Sequence, residues 1–93
     1  MDTLTSINVF RQVVESGSFV GAAEQLDIST AMVSKHVKAI ETRLHVRLLN
    51  RNTRNLSLTE AGRFYLERCT EILQNLSKTE LELESFCSAP RAS

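Results

Sequence analysis

Two short apolar patterns joined by a tight break, a polar-tipped hairpin after them, and a long leucine-rich stretch free of proline together predict a mostly α fold. The class is a winged helix-turn-helix of three helices and a two-stranded wing, followed by a long helix suited to pairing with a second copy. At 93 residues and 42% apolar, the chain is long enough for one small core and too short for two domains. These patterns predict a winged unit over 1–58, a pairing helix over 59–87, and the start of a hinge or a frayed tail over 88–93.

The first helix is expected from Asp2 or Thr3 to Glu15. Leu4, Ile7, Phe10 and Val14 recur at steps of three, three and four, and Ser16-Gly17-Ser18 stops the run. Ser18 then precedes a short helix, Phe19 to Leu26, whose Phe19, Ala22, Ala23 and Leu26 share one face. Its two alanines allow another helix to come close. After the break at Asp27-Ile28, Ser29 is a good N-cap for a third helix from Thr30 to about Leu44. Val33, Val37, Ile40 and Leu44 form its inner stripe.

The period changes after Leu44. Val46 to Arg51 and Leu56 to Leu58 are β-compatible, with polar Asn52-Thr53-Arg54-Asn55 between them as a turn. Thr59 caps the last helix, with Glu60 near its positive end. From Glu60 to about Phe86 this helix would span some 40 Å at 1.5 Å per residue. Tyr65, Leu66, Cys69, Ile72, Leu73, Leu76 and Leu83 supply its apolar face. So long a face exceeds what a core of this size can cover, and a second copy is the economical cover. Folding back on its own domain is the alternative.

Formal net charge is zero, yet the charges are unevenly placed. Residues 1–34 hold one base (Arg11) against four acids, and residues 69–93 hold two bases against four acids. Residues 35–68 hold eight bases (Lys35, Lys38, Arg43, Arg47, Arg51, Arg54, Arg63 and Arg68) against three acids. A basic middle between acidic ends fits one surface aimed at phosphates. The same charges scattered over a surface would be only solubilising.

Several classes are excluded or disfavoured. No apolar run reaches the roughly 18 residues of a membrane span, and the start lacks the order of a secretory signal, so a cytoplasmic location is expected. Cys69 and Cys87 would lie roughly 27 Å apart on one helix, beyond disulfide reach, and read as reduced thiols. His36 and His45 have no carboxylate or cysteine at a triad or ligand spacing and read as surface or cap residues. Gly17, Gly21 and Gly62 are isolated, so no phosphate-binding glycine loop is present. No enzyme, cofactor or metal site is expected.

On the third helix, at 100° per residue, Ala31, Ser34, Lys35 and Lys38 point away from the apolar stripe, with Thr30 and Ser29 at the N-terminal tip. Small residues at Ala31 and Ser34 permit close approach to a major-groove floor, and Lys35 can reach guanine acceptors or phosphate. Lys38 suits phosphate. A plain solvated face uses the same residue types. Arg51, Thr53 and Arg54 flank or occupy the hairpin turn, where arginine suits phosphate contacts or a narrow minor groove, or simply solubility.

The strings FRQVVESGSFVGAAEQL, STAMVSKHVKAIETRL and LLNRNTRNLSLTEAG, in that order, resemble the LysR-type transcriptional regulators. The resemblance extends over essentially the whole chain, since the last helix is similar to that family's linker helix. It implies a bacterial, sequence-specific binder of double-stranded DNA that pairs through linker helices and often forms tetramers on interrupted inverted repeats. It places recognition on Ser29, Thr30, Ala31, Ser34, Lys35 and Lys38, and wing contacts on Arg51, Thr53 and Arg54. It also implies a small-molecule effector acting through a C-terminal domain that this chain lacks, so an excised DNA-binding fragment is expected. His45 stands where the family usually has glycine, which predicts a left-handed turn there.

Overall fold

The structure is a computed structural model that describes residues 2–51 and 56–91, with side chains as far as Phe86. Each of the first three helices begins at a short polar cap and stops at a left-handed residue. Asp2 opens α1 (Thr3–Ser16) by accepting from the Thr5 amide at 3.1 Å, and Gly17, at φ +79°, closes it. Ser18 accepts from the Gly21 amide at 2.9 Å to open α2 (Phe19–Leu26), which ends at Asp27. Ser29 accepts from the Met32 amide at 3.1 Å to open α3 (Thr30–Leu44), which ends at His45. Asp27 and His45 both sit at φ +58°, the second where the family resemblance implies a left-handed turn. Side-chain oxygens at the three starts satisfy amides that have no partner inside the helix, each cap contributing about 1 kcal/mol.

Strands β1 (Leu49–Arg51) and β2 (Leu56–Leu58) pair antiparallel, with Leu49 opposite Leu58 and Arg51 opposite Leu56. The first strand is shorter than the run from Val46 predicts, because Val46 is exposed and its amide turns back to the Glu41 carbonyl at 3.2 Å.

Val9, Phe10, Val13, Ala22, Ala23, Val33, Val37, Ile40, Leu48 and Leu49 form one core cluster. Phe10 is completely hidden, a burial that stabilises by about 1.5–3 kcal/mol. Ala22 and Ala23 are the buried residues of α2, which lets that helix lie close to its neighbours. The stripe on α1 is placed differently from the expected one. Ile7 and Phe10 point inward, but Leu4 is exposed and Val14 only half-buried, while Ser6, Val9 and Val13 are buried. Both α2 and α3 pack on α1, so its buried arc is wide and centred nearer Phe10 and Val13.

Helix α4 (Glu60–Arg91) passes the expected end near Phe86 and enters the segment read as a hinge or tail. Its start is clamped. Thr59 Oγ1 accepts from the Gly62 amide at 2.9 Å and donates to the Arg47 carbonyl at 2.6 Å, while the Thr59 amide donates to the Leu48 carbonyl at 3.0 Å. Gly62 is buried against Leu48, where any Cβ would overlap the carbonyl oxygen.

The stripe read as a pairing face divides in two. Tyr65 and Leu66 pack against the core of their own chain, with the Tyr65 and Phe10 rings 6.0 Å apart, and Cys69 is buried beside them. These three are therefore used first within the chain, because the opening turns of α4 lie over α1. Leu73 is half-buried, and Ile72, Leu76, Leu81, Leu83 and Phe86 are exposed. The molecule measures 60 × 27 × 21 Å, its length set by a helix that leaves the core behind.

Candidate nucleic-acid interface

The outer face of α3 starts at its cap. Ser29, Thr30, Ala31, Lys35 and Lys38 are exposed and Ser34 is half-exposed, while Val33, Val37 and Ile40 on the opposite side are buried. The residues assigned from sequence to one face thus share it in space. Neither lysine is engaged in an ion pair among the described residues, so both ammonium groups stand in water on a surface with small neighbours. Met32 is also exposed, at 39%, and adds an apolar group near the tip.

The strand pair is attached to the flank of this face. Glu41, buried near the end of α3, accepts through Oε2 from the Leu48 amide at 2.8 Å and the Leu49 amide at 3.3 Å. Its Oε1 accepts from Arg51 Nη2 at 2.9 Å. At 100° per residue, Ser34 lies about 20° and Lys38 about 60° around the helix from Glu41. The pair of strands therefore stands beside the lysine face, not behind it. The Arg51 guanidinium also lies over the Phe19 ring, 5.5 Å from its centre, and its Nε is buried without a partner among the described residues. Arg51, read from sequence as a wing contact, is thus held inward between α2 and α3. Thr53 and Arg54, the other two wing residues, lie outside the described residues.

Two buried polar side chains on α3 escaped the sequence reading. His36 is not a surface residue: it is buried and hydrogen-bonded through Nδ1 to Ser6 Oγ of α1 at 2.9 Å. Its direction on the helix falls between the inner stripe and Ala39, so the α-helical period carried a signal, outweighed by the polarity of the residue type. Glu41 was visible only as one of three acids in the basic segment. His45, the other histidine, is a cap, as expected. At the base of α4, burial pushes the Cys69 thiol above its ordinary 9.0, and burial together with the neighbouring Cys69 raises the Tyr65 phenol above 10.0. No group of three or more metal-ligating side chains occurs among the described residues, nor does any helix there have the length and apolarity to cross a membrane.

A family model described as bacterial regulatory helix-turn-helix protein, lysR family, matches residues 4–63. The chain belongs to the lysR family. Within it, the chain is 42% identical over 90 residues to the HTH-type transcriptional activator AaeR of Escherichia coli (strain K12), covering 97% of this chain and 29% of that protein. It is 49% identical over 85 residues to the HTH-type transcriptional regulator CrgA of Neisseria meningitidis serogroup B, covering 91% of this chain and 28% of that one. The chain thus spans less than a third of these LysR-type relatives. Among solved structures, it matches the BenM_DBD/benA site 1 DNA complex with a TM-score of 0.88 and 27% identity, over 96% of this chain and 99% of that one. The architecture read from sequence, three helices, a two-stranded wing and a long linker helix, is that of the LysR-type DNA-binding domains. The relatives are named as transcriptional regulators and not as enzymes.

Proposed function

We propose that this chain is the DNA-reading part of a cytoplasmic LysR-type transcription regulator and binds double-stranded DNA sequence-specifically as a dimer. The observation that carries the reading is the exposed Lys35/Lys38 face of α3 with the strand pair fixed on its flank. Ser29, Thr30, Ala31, Ser34 and Lys35 meet base edges in the major groove, and Lys38 meets phosphate. Thr53 and Arg54 at the hairpin reach the backbone or minor groove. The likeness to a domain whose solved structure is a DNA complex supports the placement.

Pairing uses the part of α4 that its own core leaves uncovered: Ile72, Leu73, Leu76 and Leu83. Two such dimers on an interrupted inverted repeat form the tetramer of the full-length regulator. A small-molecule effector acts on that full-length regulator through a C-terminal domain.

The test is a fluorescence-anisotropy titration against duplexes selected from a random pool by this chain. Affinity should fall by orders of magnitude between about 50 and 200 mM salt as phosphate contacts release counterions. A flat salt response, or no enrichment of any sequence from the pool, refutes the reading.

A further inference from the structure

We propose that Glu41 is the positioning residue that sets the strand pair against the recognition face, with Arg51 as its counter-charge and not a DNA contact. The consequence for DNA rests on the function proposed above; the joint itself does not.

Glu41 gathers the whole turn between α3 and β1 onto one residue. Its backbone carbonyl accepts from the His45 and Val46 amides. Its carboxylate accepts from the Leu48 and Leu49 amides and from Arg51 Nη2. Leu48 and Leu49 are each only 1% exposed, so water cannot replace the acceptor their amides would lose. Apolar packing can hold the two leucine side chains in the core, but it does not fix the direction in which the strand leaves. Two amides converging on one carboxylate oxygen do.

The carboxylate is itself nearly hidden, at 7% exposure, and a buried charge needs an opposite one beside it. Arg51 supplies it and, through its contact with Phe19, ties the strand to α2 as well. Leu48, held through its amide by Glu41, in turn accepts through its carbonyl from Thr59 at the foot of α4. One carboxylate therefore aligns the recognition helix, the strand pair and the linker helix.

Two measurements test this with the full chain. The first is backbone amide hydrogen exchange without DNA. Glu41→Met, which removes both oxygens at similar side-chain length, should speed exchange at Leu48 and Leu49 by tenfold or more relative to Val13 and Val37 in the core. Parental rates at Leu48 and Leu49 overturn the proposal even if the chain never binds DNA. The second is DNA affinity against salt for a duplex that the parent chain selects. Glu41→Met should weaken binding about tenfold while leaving the preferred bases unchanged; unaltered affinity overturns the positioning role. Arg51→Gln, which keeps both amide contacts to the carboxylate, should leave the slope of log affinity on log salt at the parental value. A slope shallower by about one makes Arg51 a phosphate contact and overturns its assignment as a counter-charge. Exchanging the charges, Glu41→Arg with Arg51→Glu, should fail to restore slow exchange at Leu48 and Leu49, because the amides still lack their acceptor. Restoration would show that the ion pair alone places the strand.

Discussion

Replacing Gly62 with alanine sets two effects of opposite sign against each other. In an ordinary helix interior the change stabilises by about 0.5–1 kcal/mol, because glycine gives up more backbone freedom on folding. At this position the added Cβ would overlap the Leu48 carbonyl oxygen, lie 2.9 Å from its carbon and stand 3.1 Å from Leu58 Cδ2. The neighbour that must yield is backbone, and it is fixed from both sides, by Glu41 at its amide and by Thr59 at its carbonyl. Overpacking of this kind costs about 1–3 kcal/mol, and losing the Thr59 to Leu48 hydrogen bond costs about 1 kcal/mol more. The clash wins, leaving the variant less stable by about 2 kcal/mol. For a domain of this size that lowers Tm by about 8–16 °C. Circular dichroism melts at several protein concentrations, so that pairing contributes equally to both proteins, would read it. An unchanged or raised Tm would refute the argument that the foot of α4 is seated on rigid backbone. Gly17→Ala is the useful contrast, since nothing lies within 4 Å of its Cβ and only the φ of +79° opposes the change; about 1 kcal/mol is expected there.

Lys35→Ala should weaken binding to a selected duplex by about 1–3 kcal/mol and relax discrimination at one base pair, whereas Arg54→Ala should weaken all sequences alike; competition assays against single-base variants separate the two. Ile72→Glu combined with Leu83→Glu should convert dimer to monomer in sedimentation equilibrium while the melting of the full chain, at dilutions where the parent too is monomeric, changes little, since both side chains are more than half exposed in the single chain. The Cys69 thiol and Tyr65 phenol are both raised in the folded state. The native chain therefore holds these protons more tightly than the unfolded one, and stability is full below about pH 9 and falls as pH climbs through 9 and 10. Urea titrations between about pH 8 and 10.5 should show that decline, reduced by Cys69→Ala.

The starts of α2 and α3 and the end of α2 were legible to the residue, because their signals are local: a serine whose oxygen caps an amide three positions on, and a tight break at Asp27-Ile28. The outward face of α3 was legible for a similar reason, since one helical period fixes which side carries Lys35 and Lys38. What the sequence concealed depends on neighbours distant along the chain. Leu4 continues the spacing of Ile7 and Phe10 but extends past the edge of what α2 and α3 cover. Tyr65, Leu66 and Cys69 belong to one stripe with Leu73 and Leu76, and only the position of α1 decides that the first three face inward. His36 and Glu41 look solvated by type; Ser6, thirty positions away, and the Leu48 and Leu49 amides make their burial tolerable. Arginine in a short hairpin reads as a free cation until the carboxylate that holds it is placed.

The clamped base of α4 makes that helix a lever with its pivot at Gly62. Its 32 residues extend about 48 Å at 1.5 Å per residue, so a tilt of about 5° at the base would sweep the far end through about 4 Å. Whatever grips the distal end therefore works with mechanical advantage over the reading head, and a loose pivot would blur the spacing between two such heads on one duplex.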